Sequence, residues 1–238
     1  MASSTGSVAG ASGPDRFSGF PPAAFEFYDG LEENNSRTYW LDNKATFEQA
    51  VREPMATLLA GLPAAYGQFH VFRPNRDVRF NADKSPYKTA HGAVSETTGG
   101  GTYYVQISSA GLLVASGMYM LASDQLARFR AAVAEDESGE ELEQVIKDLR
   151  RAKVAVEAGH DEPLKTAPRG YTKDHPRIER LRWKACMAST EIASPSVLGS
   201  SRLRDRAVAF WERTGPLVAW LEQHVGRSSL PRQPRGRG

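Results

Sequence analysis

Residues 102–120, TYYVQISSAGLLVASGMYM, are the stretch that decides the fold. The first part alternates between two sets of side chains, Tyr103, Val105 and Ile107 on one side and Tyr104, Gln106 and Ser108 on the other. This two-residue period is typical of a β-strand with one buried face. Ser109-Ala110-Gly111 then provides turn chemistry before a second apolar run over residues 112–120. The two runs therefore predict an antiparallel hairpin at the centre of a sheet.

Helical patterns precede this hairpin. Asn34-Asn35-Ser36 offers a good N-cap for a run of apolar residues, spaced three and four apart, that extends to Leu62. Pro54 lacks a backbone N–H, so we expect a kink or a restart of the helix there. Residues 20–31 predict a shorter helix before this run, and residues 68–73 predict a short aromatic strand after it.

Further helices are expected after the hairpin. Ser123 caps one helix, and Ser138 with Glu141 forms a capping box for the next. Apolar stripes predict two more, namely Leu181, Ala185, Ala188 and Ile192 behind Asp174, and Leu203, Ala207, Phe210 and Trp211 behind Ser200 or Ser201. We expect Gly215-Pro216 to break the last helix. Together the patterns predict an α+β fold, a central antiparallel sheet with a hairpin, packed by several helices.

Length and composition predict one domain. A chain of 238 residues with 40% hydrophobic and 24% charged residues is ordinary for a single globular core. We expect residues 16–226 to form it, residues 1–15 to be disordered, and residues 227–238 to be a basic disordered tail. The expected location is the cytoplasm, because Met1 to Asp15 lack the features of a secretory signal and the single Cys186 suits a reducing compartment. No segment is apolar enough for a membrane partner.

The densest polar cluster follows the predicted aromatic strand. Two acidic residues, Asp77 and Asp83, oppose five basic ones there: Arg73, Arg76, Arg79, Lys84 and Lys88. A second basic group comes later and consists of Lys165, Arg169, Lys173, Arg177, Arg180, Arg182 and Lys184. If the fold brings the two groups together, a bound phosphate or carboxylate would relieve the repulsion between them. The alternative is a structural ion-pair network of Arg76, Asp77 and Arg79, with the lysines pointing into water.

The anion hypothesis assigns roles to particular residues. The expected ligand-binding residues are Arg76, Arg79, Lys84 and Lys88, completed by Lys165, Arg169 and Lys184. The candidate catalytic residues are Asp77, as a base or as an orienting group for an arginine, and Tyr87, whose pKa the neighbouring lysines would lower.

Other chemistry has less support in the sequence. The sequence has no nucleophile elbow, zinc-protease helix, phosphate-binding Walker loop or dinucleotide fingerprint. His160-Asp161-Glu162 is interpreted as a surface turn rather than a metal site, and no cofactor is indicated. Cys186 is interpreted as a small buried side chain, and the four tryptophans as core or interface residues. Whether the protein is an enzyme stays open.

These motifs, in this order, resemble a bacterial and fungal conserved-hypothetical family, the domain of unknown function numbered twenty-four sixty-one. The resemblance covers nearly the whole domain and rests on several motifs: Phe17-Ser18-Gly19-Phe20, Asn34-Asn35 with Arg37 and Trp40, Arg76-Asp77-Val78-Arg79-Phe80, Asp83-Lys84-Ser85-Pro86-Tyr87-Lys88, Gly117-Met118-Tyr119, and Pro168-Arg169-Gly170-Tyr171. Asn81-Ala82 departs from the family, which usually has a serine before the Asp-Lys pair. The resemblance implies a shared fold and a candidate surface, and it names no substrate.

Three hypotheses for the function follow. The preferred one is a basic, anion-binding cleft for a phosphorylated or carboxylated small molecule. The second is a non-catalytic protein-interaction module, which predicts a large exposed apolar patch. The third is nucleic-acid binding, which is less favoured because only Tyr87, Tyr171 and Trp183 interleave with basic residues.

Overall fold

The computed structural model describes residues 16–77, 83–159 and 162–231. In these residues the chain forms one antiparallel sheet with the strand order β1-β2-β3-β4-β6-β5. The strands are β1 (His70–Val71), β2 (Ala90–Glu96), β3 (Thr102–Ser108), β4 (Gly111–Met118), β5 (Val156–Glu157) and β6 (Cys186–Ile192). The predicted α+β class and the antiparallel centre of the sheet are confirmed.

The helices form two groups along the chain, one before strand β1 and one after strand β4. The first group is α1 (Pro22–Glu33), α2 (Arg37–Asp42), α3 (Lys44–Thr46), a π-helical turn (Phe47–Arg52), α4 (Glu53–Ala60) and a 3-10 turn (Ala64–Tyr66). The later ones are α5 (Ser123–Ala134), α6 (Asp136–Arg151), α7 (Ile178–Leu181), α8 (Pro195–Leu198) and α9 (Arg202–His224). None of the helices in the described part of the chain combines the length and the apolar character needed to cross a membrane.

The predicted hairpin of β3 and β4 is confirmed. Ser108 pairs with Gly111 and Val105 pairs with Val114, so only Ser109 and Ala110 form the turn. Gly111 has a φ of 129°, and a Cβ atom there would lie 2.4 Å from the carbonyl oxygen of Ile192. Glycine is therefore required at the point where the chain leaves the turn and passes close to β6.

The sheet buries one face under helices. Tyr103, Val105 and Ile107 of β3 are buried on that face. The long helix α9 crosses it, with Trp211 Nε1 donating to the Ala115 carbonyl oxygen at 3.0 Å and Ser116 Oγ donating to Thr214 Oγ1 at 2.7 Å. Antiparallel sheets often leave the opposite face to water. Here the opposite face, called the open face below, carries half-buried side chains: Phe72, Val94, Tyr104, Gln106, Leu113 and Ser189.

The interpretation of residues 186–192 as helical was wrong. Residues at 181, 185, 188 and 192 fit a helical stripe, but the structure ends α7 at Leu181 and makes Cys186–Ile192 the strand β6. The same residues also fit a two-residue period, since Cys186 and Ala188 are buried while Met187 and Ser189 are half-buried. Strand β6 forms seven paired positions with β4, which would otherwise be an exposed edge. Tertiary pairing therefore decided between two periods that the sequence allowed.

Strand β2 was not predicted from the sequence. Its buried positions carry His91, Ala93 and Ser95, and Gly92 and Val94 lie on the open face. Small and polar residues give almost no hydrophobic alternation, so the usual strand signal was absent.

The predictions for the proline-containing helices had mixed outcomes. Of the predicted capping segment Asn34-Asn35-Ser36, Ser36 caps α2 and accepts from the Tyr39 N–H at 3.1 Å. The irregularity expected at Pro54 is a change of helix type, from the π-helical turn to α4, with Pro54 in the first turn of α4. The predicted break at Gly215-Pro216 was wrong, because α9 continues through Pro216. Trp211 before the proline and Trp220 after it are both buried, and their packing offsets the ~3 kcal/mol that an internal proline costs.

The cap of α6 also differs from its prediction. The expected capping box of Ser138 and Glu141 is replaced by Glu135, whose carboxylate accepts from the N–H groups of Glu137 at 3.1 Å and Ser138 at 2.7 Å. The cap and the start of the helix therefore lie three residues earlier than predicted, at Glu135 and Asp136.

The first residues of the predicted tail form hydrogen bonds with the rest of the domain. Arg227 Nε donates to Glu96 at 2.9 Å, and the hydroxyl of Ser228 and the N–H of Ser229 donate to Asp124 at 2.7 and 2.8 Å. The predicted disordered segment of residues 1–15 and the end of the tail, residues 232–238, lie outside the described residues.

Arg177 of the second basic group is a structural residue. Its side chain is 9% exposed and donates to the carbonyl oxygens of Val133 at 2.6 Å, Ala134 at 3.0 Å and Glu135 at 3.2 Å. The carbonyls of Val133 and Ala134 end α5 and have no partners within that helix, whereas the Glu135 carbonyl also accepts from the Gly139 N–H at 3.0 Å. Arg177 also pairs with Asp136 at 2.8 Å, so one guanidinium joins the end of α5 to the start of α6.

We expect Arg177→Ala to lower the free energy of unfolding by about 3 kcal/mol, because it leaves buried carbonyl oxygens without donors. Urea denaturation at neutral pH measures this change. Arg151→Ala is the matched control, since Arg151 pairs with Asp148 at the surface and its loss should cost less than about 0.5 kcal/mol. Equal and small effects of both substitutions would show that Arg177 is not a helix cap.

His91 is a buried polar group of the helix-covered face. Its side chain is 4% exposed and contacts the Phe47 ring, at 5.3 Å between centroids, and none of the described residues hydrogen-bonds either ring nitrogen. Burial, followed by the nearby Arg52, lowers the pKa of His91 from 6.5 to about 4, although Glu48 acts in the opposite direction. The imidazole is therefore neutral in the folded protein at pH 7.

This burial makes stability depend on pH. Between pH 6.5 and about 4 the unfolded chain binds a proton at His91 and the folded chain does not, so stability is full above pH 6.5 and falls as the pH drops to 4. The shift corresponds to a loss of up to about 3 kcal/mol. In urea titrations at several pH values, His91→Phe should flatten this part of the profile. The exposed His70, changed to Gln, should leave the profile as it is, and an unchanged profile for His91→Phe would refute the assignment.

Candidate functional site

The first basic group lies on a two-stranded ribbon that extends β1 and β2. Asn75 pairs with Tyr87, the Arg76 N–H donates to the Pro86 carbonyl at 2.9 Å, and the Lys88 N–H donates to the Pro74 carbonyl at 2.9 Å. We call residues 73–77 and 83–88 the basic ribbon. Residues 78–82, which include Arg79, lie outside the described residues. The described ribbon thus brings Arg76, Asp77, Lys84, Tyr87 and Lys88 into one segment.

Two contacts fix the ribbon to the helices. Asn35 forms a pair of hydrogen bonds with the backbone of Tyr87, its side-chain amide donating to the carbonyl at 2.9 Å and its oxygen accepting from the N–H at 3.1 Å. The Tyr87 ring stacks on Trp40 with centroids 4.4 Å apart and an 8° angle between the planes. Tyr87 is only 7% exposed. The ribbon is therefore held rigidly, and the ring of Tyr87 has a clear structural role.

Carboxylates accompany part of the positive charge. Arg76 forms an ion pair with Asp83, which also accepts from the Ser85 N–H at 2.8 Å. The hydrogen bonds from Ser85, followed by the charge of Arg76, lower the pKa of Asp83. Asp77 is 8% exposed, whereas Lys84 is exposed to solvent.

Lys88 is the electrostatically unusual member of the ribbon. It is half-buried, and its Nζ lies 5.3 Å from the centroid of the Phe72 ring. Burial, followed by the charges of Arg73 and Arg76, lowers its pKa. Within residues 16–77, 83–159 and 162–231, no carboxylate forms an ion pair with Lys88. A cation that has lost part of its hydration thus stands next to two other cations.

The second basic group lies far from the ribbon. Strands β2 and β6 run in opposite directions with two strands between them, and Lys88 and Lys184 each stand just before one of these strands. They are therefore at opposite ends of the sheet, more than ~20 Å apart by strand geometry. Lys165 stays with Lys184, because the N–H of the preceding Leu164 donates to the Arg182 carbonyl at 2.9 Å. Arg169 is exposed in the same connection to β6.

The structure does not bring the two groups together, so the expected single cleft does not form. Two arginines of the second group pair with carboxylates instead, Arg180 with Glu143 at 3.0 Å and Arg182 with Glu179 at 2.9 Å. The sequence could not show this separation, because it depends on the position of β6, which the helical interpretation of residues 186–192 missed.

Sequence reasoning also missed the side chains next to Lys88. Phe72 contacts the ring of Tyr104 at 6.3 Å between centroids, and the hydroxyl of Tyr104 donates to Gln106 Oε1 at 2.6 Å. Burial raises the pKa of Tyr104 to about 12, so the phenol stays a donor at neutral pH. The alternation of residues 102–108 already placed Tyr104 and Gln106 on one face. Strand β2, which lies between this face of β3 and Phe72, was not predicted from the sequence.

Other candidate residues have structural environments. Cys186 is fully buried, and burial raises the pKa of its thiol to about 12, so it is a small core side chain as interpreted. The tryptophans are also core residues, with Trp40, Trp183, Trp211 and Trp220 all at most 9% exposed. The described residues contain no group of three or more potential metal ligands, and His160 and Asp161 lie outside them.

Comparison with known proteins identifies the family of this chain. A search of the curated proteins found no match. A family model described as a conserved hypothetical protein, DUF2461, matches residues 23–220. The match spans the helices α1 to α4, the sheet, the basic ribbon and most of α9, so the chain belongs to the DUF2461 family of conserved hypothetical proteins.

Proposed function

We propose that the protein binds a phosphorylated or carboxylated small molecule at the basic ribbon, with Lys88 at the centre of the site. The observation that carries the proposal is the environment of Lys88, which is half-buried, close to Arg73 and Arg76, and without an ion-pair partner among the described residues. A bound anion would restore the favourable electrostatic environment that burial removes. Arg76, Lys84 and Arg79 are the further ligand-binding residues of this proposal.

The rigidity of the ribbon supports a binding role. Asn35 holds the backbone of Tyr87 through its carbonyl and its N–H, and the Lys88 N–H donates to the Pro74 carbonyl, so the backbone that carries Lys88 is fixed before a ligand arrives. Preorganised cations lose little conformational entropy when they bind an anion, which favours affinity. A surface ion-pair network would not need such an anchor.

The size of the ligand follows from the separation of the basic groups. Because Lys165, Arg169 and Lys184 lie at the other end of the sheet, the site consists of the ribbon and its neighbours alone. A single phosphate or carboxylate group matches a cluster of Lys88 with Arg73 and Arg76. The proposed ligand is therefore a small molecule with one anionic group rather than a polyanion.

If the bound molecule is also turned over, Asp77 and Tyr87 are the candidate proton-transfer residues. Asp77 lies next to Arg76 in the ribbon and is 8% exposed, and the backbone of Tyr87 is fixed beside Lys88. Transition-state charge would then be stabilised by the cations of the ribbon.

Lys88→Gln should weaken binding of inorganic phosphate and of small phosphate esters about 10- to 100-fold, because it removes a charge-assisted hydrogen bond. Titration calorimetry measures the affinity, and the ligand-induced rise in Tm gives an independent reading. In the wild type the affinity should also decrease at alkaline pH, below the ordinary titration range of lysine, because the pKa of Lys88 is lowered.

Lys147→Gln is the matched control. Lys147 is exposed on α6, and its substitution removes the same charge far from the ribbon. It should leave phosphate affinity within about twofold of the wild type. Equal losses for the two variants would show that binding depends on net charge alone, and the proposed site would then be wrong.

Tyr87→Phe tests the catalytic part of the proposal. Phenylalanine keeps the stack on Trp40 and the backbone bonds to Asn35, so Tm should stay within about 2 °C of the wild type. For a ligand that the wild type converts, kcat should fall at least about 100-fold if the hydroxyl transfers a proton. An unchanged kcat would leave Tyr87 with its structural role only.

A further inference from the structure

We propose that the ligand of the basic ribbon carries a planar aromatic ring, which lies on the open face of the sheet beside the anionic group. This inference rests on the proposed function and adds the class of molecule. The observation behind it is a continuous row of side chains that starts at Lys88 and crosses the open face through Phe72, Tyr104 and Gln106.

The row begins with the cation and an aromatic ring in contact. Phe72 lies opposite Gly92, whose carbonyl accepts from the Phe72 N–H at 2.9 Å, and the ring of Phe72 extends under the ammonium group of Lys88. The charges that attract an anion and the first aromatic surface are thus side by side. An anionic group at Lys88 would place whatever is attached to it next to Phe72.

Gly92 makes room for the second ring. A Cβ atom at this position would lie 2.7 Å from the hydroxyl oxygen of Tyr104, so the tyrosine ring crosses the strand over Gly92 and a larger residue there would displace it. Tyr104 thereby approaches Phe72 to 6.3 Å between ring centroids, with the planes at 41°. The two rings form an aromatic surface that extends over three strands, or about 10 Å, next to the cations.

The far end of the row is polar. The hydroxyl of Tyr104 donates to Gln106 Oε1, so the amide N–H groups are the donors that Gln106 can offer to a ligand. A ring with an oxygen or nitrogen acceptor at its edge would complement this end. Charge at one end, ring surface in the middle and an amide donor at the other end together define a planar aromatic anion.

The two aromatic rings favour an aromatic ligand over a purely aliphatic anion. Aliphatic chains gain from any apolar surface, whereas an aromatic ring also gains from offset or edge contacts with Phe72 and Tyr104. Such contacts correspond to an advantage of up to about tenfold in affinity.

The test compares three probes at one pH and ionic strength: inorganic phosphate, methyl phosphate and phenyl phosphate. Titration calorimetry with the wild-type full chain should give phenyl phosphate about five- to tenfold tighter than methyl phosphate. Tyr104→Leu and Phe72→Leu should each bring this ratio close to one, because each removes one of the two aromatic rings. Tyr104→Phe keeps the ring and should keep the ratio.

Tyr171→Leu is the matched control, because Tyr171 is a half-buried aromatic residue beside Arg169 in the distant basic group. It should change neither affinity nor ratio. Thermal melts establish that each variant is folded. If one of the two leucine variants does not fold, the other still provides the test.

The outcomes separate the two proposals. If all three probes bind with equal affinity and Lys88→Gln weakens them all, the anion site holds and the aromatic inference is overturned. If no probe binds, the proposed function fails and the inference fails with it. A preference for phenyl phosphate that survives both leucine substitutions would also overturn the inference, since the ring would then lie elsewhere.

Discussion

The one-sided burial of an antiparallel sheet is the constraint on which the rest of this structure depends. Because side chains alternate along each strand, covering one face with α9 and the N-terminal helices determines the environment of every strand residue. His91 and Tyr103 are placed in the core, whereas Tyr104 is placed on the open face with Gln106. The same alternation continues into the basic ribbon, where Tyr87 turns inward to stack on Trp40 and Lys88 turns outward over Phe72. One geometric rule therefore gives neighbouring residues of the ribbon different environments.

The arginines and lysines of the chain have different physical roles. Arg177 donates to the carbonyl oxygens at the end of α5, and Arg180 and Arg182 pair with carboxylates. Three members of the second basic group therefore stabilise the structure. Arginine suits such roles because its planar group satisfies several oxygens at once. Lys88 has a single ammonium group, and burial and two neighbouring cations lower its pKa. Counting positive charges along the sequence treats these residues alike, although in the folded protein the arginines are paired with oxygens and Lys88 has no ion-pair partner among the described residues.

Much of the fold could be predicted from local patterns. The hairpin of β3 and β4, the N-cap within residues 34–36 and the helix irregularity near Pro54 all depend on interactions between residues close in sequence, and they were found. Strand β2 was missed because His91, Gly92 and Ser95 carry no apolar alternation. Strand β6 was mistaken for a helix because its residues satisfy two periods at once. In both cases the strand exists because a neighbouring strand needs a partner, and that requirement is not local.

The sequence by itself determined the α+β class, the central hairpin, the buried state of Cys186 and the tryptophans, and the basic character of residues 73–88. These properties follow from residue type and short-range spacing, which do not change when the chain folds. Only the tertiary structure decided that the two basic groups stand at opposite ends of the sheet, and that Phe72 and Tyr104 adjoin Lys88. The physical reason is that strand order and strand direction set distances between segments far apart in sequence, and hydrogen bonds between strands fix both.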